Sequence, residues 1–267
     1  MLTKRIFVLS LLVAASLLVA ETSASAPSAL ALMEKADARH RLDSETTTVR
    51  FVLQKVGGKK RKRLASVQAV QDDGDGDRMR LRFVKPAKVR RLELLSIENR
   101  RGGDDDQWLY LPAFGKTRRV GVAELGDRFV STDLYFEDLK RRRPKDFSHR
   151  ILRSETMDGH DCWVIESKPK SAKTKAESPY GKTIVWLRKD IFFVIRSKAF
   201  DRRGKLIKET KSEKLVKVLD QRGGVWRANK AIITDLKRRH RTTLLVKKRK
   251  VNSSIDDEIF SRHTLGD

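Results

Sequence analysis

The stretch Trp108-Leu-Tyr-Leu-Pro-Ala-Phe-Gly-Lys-Thr-Arg-Arg-Val120 decides how this chain is read. Trp108 to Leu111 is apolar on both faces of any strand it forms, because successive side chains of a strand point to opposite sides. Pro112 ends that strand, since it lacks the N–H that a ladder needs. A connection through Gly121 and Gly126 leads to Phe129-Val-Ser-Thr-Asp-Leu-Tyr-Phe-Glu-Asp-Leu139, where Ser131, Thr132 or Asp133 is placed to cap a short helix. A strand apolar on both sides must be covered on both. The second cover is a helix, another sheet or a bound apolar ligand, and that choice decides the function.

Working outward, the other segments read mostly as strands. Thr47, Val49, Phe51 and Leu53 alternate with more polar neighbours up to Gly57-Gly58. Leu64–Gln71 pairs with Met79–Val84 around an acidic turn, and Val89–Glu98 with Gln107–Leu111 around another. Arg150–Ser154 and Cys162–Ser167 flank Asp158-Gly159, a strong hairpin signal. Thr183–Leu187, Phe192–Phe200, Lys205–Leu219, Val225–Leu236 and Arg241–Val251 continue the series. Ile191-Phe-Phe-Val-Ile195 repeats the doubly apolar pattern, covered either by helices or by a hydrophobic cavity. Ser28 to Leu42 has helical spacing, and Ile255–Phe260 reads as a closing turn. About eleven strands in hairpin order imply one antiparallel meander without a domain boundary.

The N-terminus sets the compartment. Lys4 and Arg5 precede an uncharged run from Ile6 to Ala20, followed by Ser23, Ala24, Ser25 and Ala26. This is the three-part pattern of a secretory signal peptide, and its apolar run is short of the ~20 residues of a membrane span. Residues 1–26 are therefore expected to be a signal peptide, and residues 27–267 a single soluble, exported domain in the periplasm. Cys162 is the only cysteine, so neither an internal disulfide nor a lipid anchor at the cleavage region is available.

Sixty Lys and Arg against 35 Asp and Glu leave a formal charge of +25, which calls for a polyanionic partner. Export makes nucleic acid a poor one. The basic clusters Lys59–Arg63, Lys140–Arg143, Lys237–Arg241 and Lys247–Lys250 read singly as solvated hairpin ends. Together they fit an anionic membrane surface, with Arg141, Arg142 and Arg143 as the expected docking residues; each nearby base contributes about 1 kcal/mol.

Catalytic signatures are missing. The sequence has no Gly-x-Ser-x-Gly elbow, no His-Glu-x-x-His and no Gly-rich phosphate loop. Asp73, Asp75 and Asp77 begin like a calcium loop, but Arg78 and Val84 stand where it needs Gly and Glu. His160 and Cys162 lie two apart on one strand, too few ligands for a metal site. No enzyme, metal or cofactor is expected.

Three runs carry a family resemblance: Trp108–Val120, Ser131–Leu139, and the closing Asn252-Ser-Ser-Ile-Asp-Asp-Glu-Ile-Phe260. In this order after a signal peptide, they resemble the LolA-like outer-membrane lipoprotein-sorting family, in the branch found beside RND-type (MMPL) exporters. The resemblance spans about Leu30 to Phe260. It implies an incomplete, strongly curved antiparallel β-barrel with short helices covering its concave face, over a groove that holds acyl chains. It further implies a carrier of lipid or lipoprotein between inner and outer membrane, working with an inner-membrane transporter. The alternative is a non-catalytic accessory subunit of such an exporter, without cargo of its own. The family run usually begins Gly-Ser-Asp, whereas Ser131-Thr-Asp133 stands here, so the glycine is replaced. With the aromatic face of the first strand assigned to the groove, Trp108, Tyr110, Phe114, Leu134, Tyr135 and Phe136 are expected to line or close it, and 133–139 to act as a lid.

Overall fold

The structure is a computed structural model and describes residues 27–72, 74, 76–99, 104–220 and 223–267. The expected signal peptide lies outside these residues. Among those described, no helix is long and apolar enough to cross a membrane.

Among the described residues thirteen strands form one antiparallel sheet, most of them built on alternating apolar residues. They are β1 (Ser44–Lys55), β2 (Arg61–Val70), β3 (Arg78–Lys85), β4 (Glu93–Ile97), β5 (Asp106–Leu111), β6 (Lys116–Arg119), β7 (Phe147–Met157), β8 (His160–Pro169), β9 (Lys182–Arg188), β10 (Val194–Phe200), β11 (Leu206–Val218), β12 (Val225–Asp235) and β13 (His240–Val251). The spatial order is β6-β5-β4-β3-β2-β1-β13-β12-β11-β10-β9-β8-β7. The first and last strands therefore pair at the centre, and β6 and β7 are the two edges of an open, curved sheet. The mainly β, incomplete-barrel architecture is as expected, with more strands than the eleven or so read from sequence. One addition is β6, whose Lys-Thr-Arg-Arg is wholly exposed and carries no apolar alternation; it exists through pairing with β5.

The two edges are joined by residues 120–146, and this connection fills the concave side. Val49, Phe51 and Leu53 of β1 point inward with Ala65, Leu81, Phe83, Leu94 and Leu109, and the connection adds Leu125, Phe129 and Phe136 to that cluster. Phe129 stacks on Phe83 at 5.9 Å and meets Phe136 edge-on at 5.7 Å. Helix α1 (Ala29–Arg39), capped by the Ser28 hydroxyl on the Ala31 N–H, lays Ala29 and Leu32 on Ile165, Val185 and Leu187 of the other arm. A second helix, α2 (Ala172–Glu177), follows β8.

Two expectations need correcting. The segment 133–139 is not a helix: only a single 3-10 turn at Glu137–Leu139 forms, because Asp133 turns inward instead of capping. The apolar run 191–195 is not a strand throughout. It turns at Phe192, in left-handed backbone (φ 54°), before β10 begins at Val194. Phe192 then packs on Trp163 at 5.6 Å and Phe193 on His40 at 5.3 Å.

The doubly apolar strand at 108–111 is covered by chain on both sides. Leu109 joins the concave core, while Trp108 and Tyr110 lie under the C-terminal segment with Phe260 and Leu265. Arg80 locks that segment down. Its Nε donates to Glu93 Oε2 at 2.6 Å, and its other nitrogens reach the carbonyls of Ile259 and Thr264 at 3.0 and 2.8 Å. Gly266 sits so close to the Tyr110 ring that a Cβ would fall 2.5 Å from it, at a φ of +98°.

Where the family run has glycine, Ser131 holds φ 59°, and Val130 before it holds φ 48°. Left-handed backbone costs an L-residue about 1 kcal/mol or more. Ser131 is exposed, so Ser131→Gly is expected to stabilise the protein by about 0.5–1 kcal/mol, part of the relief being offset by glycine's chain entropy. Urea unfolding measures it, and a destabilised variant would show that the Ser131 side chain contributes contacts of its own.

Candidate functional site

The connection does more than fill the core; it is pinned so that residues 134–143 wall a cavity. Asp133 is fully buried, and its Oδ2 lies 2.7 Å from both His240 Nδ1 and Thr242 Oγ1 of β13, while its N–H donates to Thr242 Oγ1 at 3.0 Å. Gln107 Nε2 donates to the Phe136 carbonyl at 3.0 Å. Arg128 Nε donates to the buried Asp235 at 2.7 Å. The segment is therefore tied to both arms of the sheet rather than lying over it as a loose lid.

The cavity holds about 470 Å³ and lies between this segment, α2 and the inner faces of β11–β13. Its apolar lining comes from Leu134, Phe147, Ala231, Ile233 and Leu244. Strand register explains why: Thr210 pairs with Ile233 and Ala231 with Leu244, so these side chains share one face.

Charged and aromatic groups face the same space. Lys208 is 4% exposed. Its Nζ lies 3.6 Å from the Tyr135 ring centroid and 2.5 Å from both Asp138 Oδ2 and the Tyr180 hydroxyl. Tyr180 donates to Asp138 Oδ1 at 2.7 Å and stacks on Tyr135 at 5.6 Å. Burial, and then the Asp138 carboxylate, push the Tyr180 hydroxyl well above its ordinary range, so it stays a neutral donor. Arg142 places its guanidinium 3.9 Å over the Phe147 ring and donates to Thr183 Oγ1 at 3.0 Å. It lines the recess, so it is wetted yet surrounded by protein, and desolvation lowers its pKa.

Glu137 is the unusual group. Burial raises its carboxyl to about 7, against the lowering effect of Arg142, and its Oε2 has no hydrogen-bond partner in the protein. The recess thus combines an apolar floor with the buried Lys208, the half-buried Glu137 and the exposed Arg142, the chemistry that suits an amphiphile. Among the described residues, no three His, Cys, Asp or Glu side chains are grouped to hold a metal ion.

The six groove residues expected from sequence are not brought together. Leu134 lines the cavity, and Tyr135 stands behind it beneath Lys208. Phe136 is buried in the core. Trp108 and Tyr110 are on the opposite face of the sheet, because Gln107 and Leu109 take the inward positions. Phe114 is 71% exposed at the β5–β6 turn. The basic triplet is placed differently too. Arg141 binds Asp37 at 2.6 Å and Asp77 at 3.2 Å, and Arg143 binds Glu98 and Asp105, both at 2.6 Å. These two arginines tie the connection to α1 and to the acidic turns instead of facing solvent. Glu137, Tyr180, Lys208 and Ile233 were not anticipated. The one sequence signal for Lys208 was its place in the inward register of a long strand.

Comparison with known proteins supplies the last observations. A family model described as "Uncharacterized protein" (-like) matches residues 75–267. No curated protein matches the chain. A putative outer membrane lipoprotein-sorting protein domain from Vibrio parahaemolyticus superposes with a TM-score of 0.82 at 24% identity, covering 90% of this chain and 98% of that one. A DUF1329 family protein from Desulfovibrio piger gives 0.82 at 23% identity, covering 89% and 97%. A LolA superfamily protein from Nitrosomonas europaea gives 0.69 at 21%, covering 88% and 98%. At these identities the likeness establishes the fold.

Proposed function

Because the chain belongs to the family matched over residues 75–267 and has the LolA-like fold, we propose that it is a periplasmic carrier for the acyl chain of a lipid or lipoprotein. It acts as one domain, residues 27–267, after export, and takes its cargo from an inner-membrane transporter of the RND type. The observation that carries this reading is the cavity on the concave face, apolar on its floor and charged around it. Its volume of about 470 Å³ falls within the roughly 300–1,000 Å³ of small-ligand sites. Exposing a sixteen-carbon chain to water costs on the order of 12 kcal/mol, at about 0.8 kcal/mol per methylene. A carrier has to offset most of that with dry surface, and Leu134, Ala231, Ile233 and Leu244 provide it.

Displacement of a fluorescent fatty-acid probe tests the proposal. The wild-type protein is expected to bind the probe, and Leu134→Asp to weaken binding by at least about tenfold, since an unpaired charge on an apolar floor costs several kcal/mol. Leu134 is only partly buried, so thermal unfolding should shift little. Phe136→Asp should instead lower the melting temperature, because Phe136 belongs to the core. A probe that never binds wild type, or binds Leu134→Asp unchanged, removes the carrier reading.

A further inference from the structure

Hairpins send successive turns to alternate ends of a sheet, and here the two ends differ in charge. Lys55 pairs with His240, Leu64 with Lys85, Arg82 with Glu93 and Leu111 with Lys116. The β1–β2, β3–β4, β5–β6 and β12–β13 turns therefore lie side by side at one end of eight consecutive strands. The Val56 N–H donates to the Arg239 carbonyl at 2.9 Å, which joins two of the turns directly. From residue 55 to 61, 85 to 92, 111 to 116 and 236 to 240 there is no Asp or Glu. Lys59, Lys60, Lys88, Arg90, Lys237 and Arg239 are exposed there, and among the described residues none of them is in an ion pair. The acidic turns are at the other end, where Arg141 and Arg143 reach Asp77, Glu98 and Asp105.

The basic end also displays apolar side chains at its tips: Val56 is 64% exposed, Phe114 71% and Leu236 40%. A free, acid-poor cluster of bases attracts a polyanion. Aliphatic tips distinguish which one, because Val and Leu gain from entering hydrocarbon and gain nothing from a sugar–phosphate backbone. We propose that these four turns form the face with which the protein docks on an anionic phospholipid surface, bases on the headgroups and Val56, Phe114 and Leu236 in the interface. None of these turn residues lines the cavity.

The test is co-sedimentation of the exported chain with phosphatidylcholine vesicles and with vesicles containing equal parts phosphatidylglycerol, at low and high salt. The triple variant Lys59→Glu, Lys60→Glu, Arg239→Glu is expected to lose roughly 100-fold in partitioning to the anionic vesicles, from about 1 kcal/mol per base. The control triple Lys247→Glu, Lys248→Glu, Lys250→Glu changes net charge equally within β13 and should lose far less. Phe114→Ala should weaken the binding that persists at high salt. Equal loss in both triples, or equal binding to neutral vesicles, overturns the proposal. So does tighter binding of a labelled single-stranded oligonucleotide through the same residues, which would assign the face to nucleic acid. Fatty-acid probe binding should be untouched by the first triple, so failure here leaves the carrier reading standing.

Discussion

Asp133→Ala is expected to destabilise the protein by about 2–4 kcal/mol, because it leaves buried hydrogen-bonding groups without their partner at about 1–3 kcal/mol each. Asp133 is 0% exposed, and its Oδ2 collects both His240 and Thr242. Without it, two polar groups of β13 face an apolar interior, and the connection loses its tie to the centre of the sheet. Phe129 and Phe136 lie on either side of Asp133 in sequence and hold the concave core, so the loss should spread beyond the turn. Urea unfolding of wild type, Asp133→Ala and Asp133→Asn reads the effect, the asparagine keeping one acceptor and losing less. An alanine variant within about 0.5 kcal/mol of wild type, the range of ordinary surface changes, would show that the pin does not hold the connection.

Glu137→Gln is expected to stabilise the protein at alkaline pH. The folded-state pKa of about 7 lies above the ordinary 4.5, with burial as the chief cause. Between those values the folded protein keeps a proton that the unfolded chain releases. Stability from this group is therefore full below about 4.5, falls as pH rises towards about 7, and is flat above it. The span corresponds to on the order of 3 kcal/mol. Glutamine stays neutral, so the variant should gain most of that amount at pH 8 and nothing at pH 4.5. Parallel urea titrations at the two pH values check this. An unchanged pH dependence would mean that Glu137 is ionised and solvated in the folded protein.

Much of the fold was legible because strand pairing writes itself as alternation. Val49, Phe51 and Leu53 announced their inward face, and Asp158-Gly159 its hairpin. The helical spacing from Ser28 onward was equally plain, and α1 forms there over Ala29–Arg39. The missing glycine also pointed to something physical, since Ser131 holds the backbone that glycine favours. The candidate site was far less legible. The aromatic face of 108–111 drew attention as groove lining, yet it is closed by the protein's own C-terminus. Arg141 and Arg143 looked like free surface charge and are internal ties.

The sequence by itself determined the strand-rich, antiparallel character of the chain, its meander order and the excess of positive charge, because each is written in neighbouring residues. Only the tertiary structure decided which strands meet at the centre, which face is filled by residues 120–146, and which charges stay free. These depend on contacts between segments far apart in sequence: Asp133 with His240, Arg80 with Thr264, Lys208 with Asp138. Period-two alternation says that a side chain points to one of two faces, but what covers each face is settled by the packing of the whole sheet.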